Sequence, residues 1–283
     1  MIQLQMTARG FDTGNNLFQY AIARILAEEK KWPLKCSNNI EIFKNTYGWE
    51  LRNPPWEVKG DGSGDVWNHI GANKVHIEEI IQDPRPVAIH GYFQHYPQYI
   101  PYKERIKQWF HIDDIETGMS SSDLTVHVRL TDFCECKFDF SFEDYMHYIK
   151  EINPTNVNII TDDRCNCHSC LWEDVEWQCE EGVNKKFLRR TPQFDHRHIT
   201  IRKLMAEGMT VRDESYEDDK SFKFLKSSPQ ILIPHSTFSW WAGFLSDATI
   251  YCGFSRGSGY WDRHPKEDEV NLLINDEDRF ITL

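Results

Sequence analysis

Three short segments of this chain carry residues that can grip an anion and move a proton. The first is Ile231-Leu-Ile-Pro-His235-Ser236-Thr237-Phe238-Ser239-Trp240-Trp241-Ala242-Gly243-Phe244-Leu245. Its apolar start reads as a strand that stops at Pro234, and a helical apolar pattern follows the two hydroxyl residues. Ser236 or Thr237 is the expected N-cap, whose side-chain oxygen accepts from a first-turn amide. A helix N-terminus delivered by a strand in this way gathers unpaired N–H groups and a positive dipole end, which suits a phosphate. An ordinary capped helix with two core tryptophans would have the same pattern. The second segment is Leu124-Thr-Val-His127-Val-Arg129-Leu130-Thr131-Asp132. It reads as a strand ending near Arg129, with His127 and Arg129 on one face. A guanidinium there can hold a phosphate through paired hydrogen bonds, and Asp132 can orient it. The third is Gly10-Phe11-Asp12-Thr13-Gly14-Asn15-Asn16-Leu17 near the N-terminus. Its glycines allow a tight turn and close approach of backbone to a ligand.

Elements must place these groups together. Residues 2–6 are expected to form a first strand and Leu17 to Lys30 a helix, so the chain opens strand, glycine loop, helix. Further strands are expected at 124–129, 156–161, 230–234 and 248–252, and helices at 141–151, 197–207 and 238–246. Strands alternating with helices imply parallel sheets. Ligands of such sheets bind beyond the carboxyl ends of the strands, where Arg129, Asp162 and Ser236 are all expected. A tryptophan-rich connecting region containing Asp61-Gly-Ser-Gly64 follows the first helix, and the boundary between two domains is expected between Pro101 and Ser122.

Composition bounds the function. The chain has 283 residues, 40% of them apolar, with 10 tryptophans and 17 phenylalanines, enough for one large core or two ordinary ones. Its net charge of −12, from 44 acids and 32 bases, argues against nucleic acid or an anionic membrane as main partner. No run reaches the roughly eighteen apolar residues of a bilayer span, and no signal-peptide pattern opens the chain, so a cytoplasmic protein is expected. Of 8 cysteines, six lie between positions 134 and 179. Cys165-Asn-Cys167-His168-Ser-Cys170 has soft ligands, but Cys134-x-Cys136 is too tight for a second zinc pair. Reduced thiols are the expectation in a cytoplasmic setting. The neighbouring Trp172 and Trp177 offer aromatic faces to a sugar.

Five segments together resemble a known family. Gly14-Asn15-Asn16-Leu17-Phe18-Gln19-Tyr20-Ala21 is similar to the G-N-Q-M-F-Q-Y-A element of glycosyltransferase family 11, the α-1,2-fucosyltransferases. His90-Gly91-Tyr92-Phe93-Gln94 resembles its G-Y-F-Q, and His127-Val128-Arg129-Leu130-Thr131-Asp132 its H-V-R-R-x-D, shared more loosely across the GDP-fucose fucosyltransferases. Asn158-Ile159-Ile160-Thr161-Asp162-Asp163 resembles the strand ending in S-D-D, and Ser236-Thr237-Phe238-Ser239-Trp240-Trp241-Ala242 the S-S-F-S-W-W-A element. The order is the family's, from residue 10 to 245. The departures are Leu130 for a second arginine, Asp12 for a loop glycine and Asn16 for glutamine.

The resemblance implies an α/β protein of GT-B type: two Rossmann-like domains facing a cleft, here 1–115 on the acceptor side and 116–283 on the nucleotide side. It implies an inverting transfer of a sugar, L-fucose from GDP-fucose, to a glycan hydroxyl. Arg129 would grip the diphosphate. Gly14, Asn15, Asp162, Asp163, Ser236, Thr237, Phe238 and Ser239 would line the nucleotide-sugar site. With Arg129 and helix amides stabilising the leaving group, neither a metal nor another cofactor is expected. Asp12 is the expected general base, on its glycine-flanked loop, with Asp132 and His127 next. As a residue of an Asx turn, Asp12 would have no such role. Leu130 leaves open a related transferase for another nucleotide sugar such as UDP-xylose. A non-catalytic glycan-binding module and an unrelated nucleotide-binding protein are the other readings.

Overall fold

The protein is described by a computed structural model over residues 2–5, 13–37, 68–71, 74–130, 140–161, 199–212, 218–253 and 270–283. Two parallel sheets organise it. The first contains β1 (Ile2–Gln5), β2 (Leu34–Ser37), β3 (Asn68–Gly71) and β4 (Val87–His90), in the order β2-β1-β4-β3. The second contains β5 (Leu124–Val128), β6 (Val157–Thr161), β7 (Thr210–Val211), β8 (Gln230–Ile233), β9 (Thr249–Cys252) and β10 (Phe280–Thr282). Its order is β10-β9-β8-β5-β6-β7, so from β5 the chain lays down two strands to one side and then three to the other. That is the doubly-wound 3-2-1-4-5-6 order, with its reversal between β5 and β8. The first sheet has its own inner pair, β1 and β4, joined in parallel with Ile2 opposite Val87. The α/β class and the paired parallel sheets are as the sequence led us to expect.

Helices cover these sheets: α1 (Thr13–Lys30), α2 (Ile77–Gln82), a 3₁₀ turn at Tyr96–Tyr102, α3 (Lys103–Trp109), α4 (Phe142–Ile152), α5 (Ile199–Ala206), α6 (Asp218–Lys226) and α7 (Thr237–Leu245). The expected strands and helices of the second half appear within two residues of their ends. In the first half, α1 begins four residues before the expected Leu17. Gly14 and Asn15 therefore lie in the first turn of a helix, which corrects their placement in a loop. The physical reason is burial: from Thr13 to Ala27 every residue of α1 except Asn15 is buried, so packing rather than intrinsic propensity sets where the helix starts.

Side-chain alternation assigns the faces of the second sheet. Leu124, Val126 and Val128 of β5 join Leu130, Leu232 and the α4 residues Tyr145 and Tyr148 in one cluster. Ile231 and Ile233 of β8 join the other cluster, which runs without interruption through α7 and α1 to Ile2, Leu4 and Val87 of the first sheet. Phe18 of α1 is the hinge pin of that contact, with its ring 4.9 Å from Trp240 and 4.8 Å from Trp241. The two tryptophans are fully buried, and Trp240 donates its indole N–H to the Leu272 carbonyl at 2.8 Å.

Candidate functional site

The two helix N-termini meet. An added Cβ on Gly14 would clash with Thr237 Oγ1, and would lie 2.5 Å from the Thr237 carbonyl carbon and 2.6 Å from the Phe238 nitrogen. Glycine at 14 is thus what lets α1 approach the first turn of α7 so closely. Each helix start leaves first-turn amides without an intrahelical acceptor and projects a positive dipole end. Ser236 occupies the N-cap position of α7, but its side chain makes no capping bond, contrary to the expected cap. Its carbonyl accepts from Trp240 N at 2.9 Å and from the Ser239 hydroxyl at 3.2 Å. Ser239 is fully buried, so its hydroxyl is spent inside the first turn.

The switch point of each sheet supplies residues here. After β8, Pro234 and His235 lead directly into the N-terminus of α7. His127 lies near the end of β5, and Arg129, which is partly exposed, directly follows the strand. Val126 is in register with Leu232, so the ends of these two strands lie side by side. The His127 ring faces α7, 5.6 Å from the Phe238 ring, and Phe238 also packs edge-on against Phe222 at 5.3 Å. His127 is 3% exposed and its Nδ1 has no hydrogen-bond partner among the described residues. Burial, reinforced by the nearby Arg129 charge, pushes its pKa down to about 3, so the ring is neutral at physiological pH.

From the first sheet, the turn after β4 reaches the same place. Gln94 donates from Nε2 to Asn15 Oδ1 at 2.8 Å, and the Thr237 hydroxyl donates to the same oxygen at 3.2 Å. Asn15 therefore joins three elements: α1, the β4 turn and α7. The backbone of that turn is unusual. Gly91 has φ of 142° and Phe93, a buried aromatic, has φ of 54°. Such conformations persist where surrounding contacts over-determine them. Here the Gly91 carbonyl accepts from Gln19 Nε2 at 2.7 Å. The Phe93 carbonyl accepts from the Tyr99 hydroxyl at 2.7 Å and from Gln98 Nε2 at 2.9 Å.

The structure thus brings together Gly14, Asn15, His127, Arg129, Ser236, Thr237 and Phe238. Asp12, Asp132, Asp162 and Asp163 lie outside the described residues, as do the six cysteines between 134 and 179 and the two tryptophans beside them. Cys252, at the end of β9, has its thiol pushed up to about 12 by burial. Leu130 is fully buried among apolar side chains, where an arginine would carry an unsolvated charge. Gln94 was missed as a site residue, although its G-Y-F-Q element was visible. A buried glutamine four residues past a strand gives no sign of its partner until the helix is placed.

Chemically, the arrangement is a cradle for a phosphorylated ligand: two helix N-termini, one partly exposed guanidinium and the carboxyl ends of two switch points. Among the described residues, no group of His, Cys, Asp and Glu is assembled for a metal ion and no helix is long and apolar enough to cross a membrane. No family model matches the chain, and no curated protein matches it. Among solved structures it is similar to a mutant of Arabidopsis thaliana FUT1 in complex with GDP, at 8% identity and a TM-score of 0.43, over 88% of this chain and 69% of that one.

Proposed function

We propose that the chain is a nucleotide-sugar glycosyltransferase that transfers L-fucose from GDP-fucose to a glycan hydroxyl with inversion. The observation that carries this reading is the meeting of the α1 and α7 N-termini at Gly14 and Thr237, beside the β5–β8 switch point and Arg129. The five family-like segments support it, since four of them supply residues of this meeting point or its adjoining strands. We place the domain division near residue 115, with the acceptor held by the first sheet's side of a GT-B cleft.

In this reading the acceptor oxygen attacks the anomeric carbon and the bond from that carbon to the diphosphate breaks. The electron pair leaves on the diphosphate, where Arg129 and the first-turn amides of both helices meet the growing charge. These groups replace a divalent cation. The acceptor proton goes to Asp12, the acidic residue that precedes α1 in the sequence. His127 is the poorer base, because a ring with so low a pKa holds a proton weakly at neutral pH. The buried Leu130 favours one second reading: a donor other than GDP-fucose, such as UDP-xylose, because the family's second arginine is replaced by core.

Thermal-shift titration with GDP-fucose, UDP-xylose, GDP, UDP and dTDP, followed by turnover assays in excess EDTA, tests both. A ligand that binds the native state alone raises the melting temperature by mass action. GDP-fucose and GDP should do so, and turnover should survive EDTA. Arg129→Ala should lower turnover by roughly a hundredfold or more, with little rescue by lysine, whose point charge lacks the fork. A folded Arg129→Ala variant with normal turnover would falsify this role.

A further inference from the structure

The G-Y-F-Q turn after β4 has no part in the chemistry above, yet its last residue bonds a side chain in the first turn of α1. Asn15 has one carboxamide oxygen and one NH₂ group, and a flipped carboxamide would exchange them. Its oxygen is occupied twice, by Gln94 Nε2 at 2.8 Å and by the Thr237 hydroxyl at 3.2 Å. Both partners are donors in this arrangement, so the oxygen must face them and the NH₂ group must face the other way. Asn15 is the one residue in the first four-fifths of α1 that is not buried. Its NH₂ is therefore turned away from Gln94 and Thr237, on a partly exposed side chain at the start of α1.

Gln94 is well suited to enforce this. It is 4% exposed, and its main chain is pinned, since its carbonyl accepts from Asn271 N at 2.8 Å. The residue before it is held in the left-handed region by three donors on one carbonyl: Tyr99, Gln98 and the His95 amide at 2.9 Å. That backbone strain makes sense if the turn must deliver one side chain to one place. Thr237 alone cannot set the carboxamide, because a hydroxyl can donate or accept and would follow a flip.

We infer that Gln94 is a positioning residue: it locks Asn15 so that two N–H donors, and not a carbonyl oxygen, face the diphosphate of the bound nucleotide. The inference rests on the nucleotide-sugar reading above. It also links the two sheets, since a turn of the first sheet sets the polarity of a donor site completed by α7 of the second.

The test is calorimetric titration of the full chain with GDP and with UDP, using Gln94→Met, Asn15→Ala and the double variant. Methionine keeps the length and shape of glutamine but cannot donate. Gln94→Met should weaken nucleoside diphosphate binding roughly tenfold, about the worth of one hydrogen bond to a charged group. Inorganic pyrophosphate should weaken in parallel. Asn15→Ala should weaken binding at least as much, and the double variant should be no worse than Asn15→Ala alone, because Gln94 acts through Asn15. Should Gln94→Met fail to fold, Gln94→Asn keeps the amide but falls one methylene short, and carries the same expectation. Wild-type affinity in Gln94→Met, or losses that multiply in the double variant, would overturn the inference while leaving the nucleotide site intact. A wild-type chain that binds neither GDP nor UDP overturns the nucleotide reading and this inference with it.

Discussion

His127 shows how one side chain can be both legible and misleading. Its type and spacing mark it as an acid–base group, but burial against Phe238 and the neighbouring Arg129 charge keep it neutral. A native pKa of about 3 against an ordinary 6.5 has a consequence for stability. Above pH 6.5 the ring is neutral in both folded and unfolded chains. As pH falls below that, the unfolded chain takes up a proton that the native chain refuses, so this residue's contribution to stability is lost between pH 6.5 and 3. The slope is about 1.4 kcal/mol per pH unit for one proton. His127→Leu should make the acid side of the stability curve shallower by that amount, read from urea unfolding at pH 7, 6, 5 and 4. Carboxylates such as Asp276 and Glu277, whose pKa values are also lowered, act equally in both proteins and cancel in the difference. Parallel curves would mean that His127 titrates normally in the native state.

At the scale of elements, the decisive contact is between the starts of α1 and α7. The residues there are small or short: Gly14, Asn15, Ser236 and Thr237. Larger residues take over one turn on, where Phe18, Trp240 and Trp241 interlock and Phe110 closes on Trp241 at 5.4 Å. The small residues set the distance and the aromatic ones hold it. Gly14→Ala should therefore force the two helix starts apart, because besides the Thr237 hydroxyl it meets the Thr237 and Phe238 backbone, which cannot swing away. The expected cost is about 1–3 kcal/mol of stability, typical of an overpacked contact. Ligand binding should fall further than stability does, because a separated pair of N-termini no longer shares one anion. Unfolding midpoints and nucleotide titrations on the same preparation check this, and an alanine variant that binds as wild type would show that the helix starts act independently.

At the scale of the whole molecule, the two sheets are not independent bodies joined by a linker. One cluster of buried apolar side chains, from Ile2 to Ile274, takes in residues of both sheets. The C-terminal segment adds polar ties across the same boundary. Tyr96 donates to Asp276 at 2.7 Å, and Lys103 reaches Asp276 at 3.0 Å and Glu277 at 2.6 Å. Arg279 then donates to the Gly243 carbonyl at 2.9 Å at the end of α7. With a continuous core, unfolding should be a single cooperative transition despite the two sheets. Near-ultraviolet circular dichroism, which reports Trp240 and Trp241, should coincide with far-ultraviolet loss of helix and strand. Two separated transitions would show that the sheets fold as separate units.

Most local elements of the second half were legible in the sequence, because their signals are local; β7, α6 and β10 were not expected. Alternation and apolar runs marked β5, β6, β8 and β9, and Ser141 with Asp144 forms the capping box that opens α4. The parallel α/β class followed from their alternation. Candidate anion-binding residues were also legible, since hydroxyls before a helix and an arginine after a strand are local patterns. The short strands β2 and β3 and the helix α2 were not, because elements of four to six residues have too little periodicity to stand out. Nor was strand order: any of several sequences of pairing satisfies the same alternation, and only the folded sheet shows that the chain reverses between β5 and β8. Three facts belong to tertiary structure alone: Gly14 against Thr237, Gln94 on Asn15, and a neutral His127. Each depends on groups 79 to 223 residues apart, or on burial that no local pattern encodes.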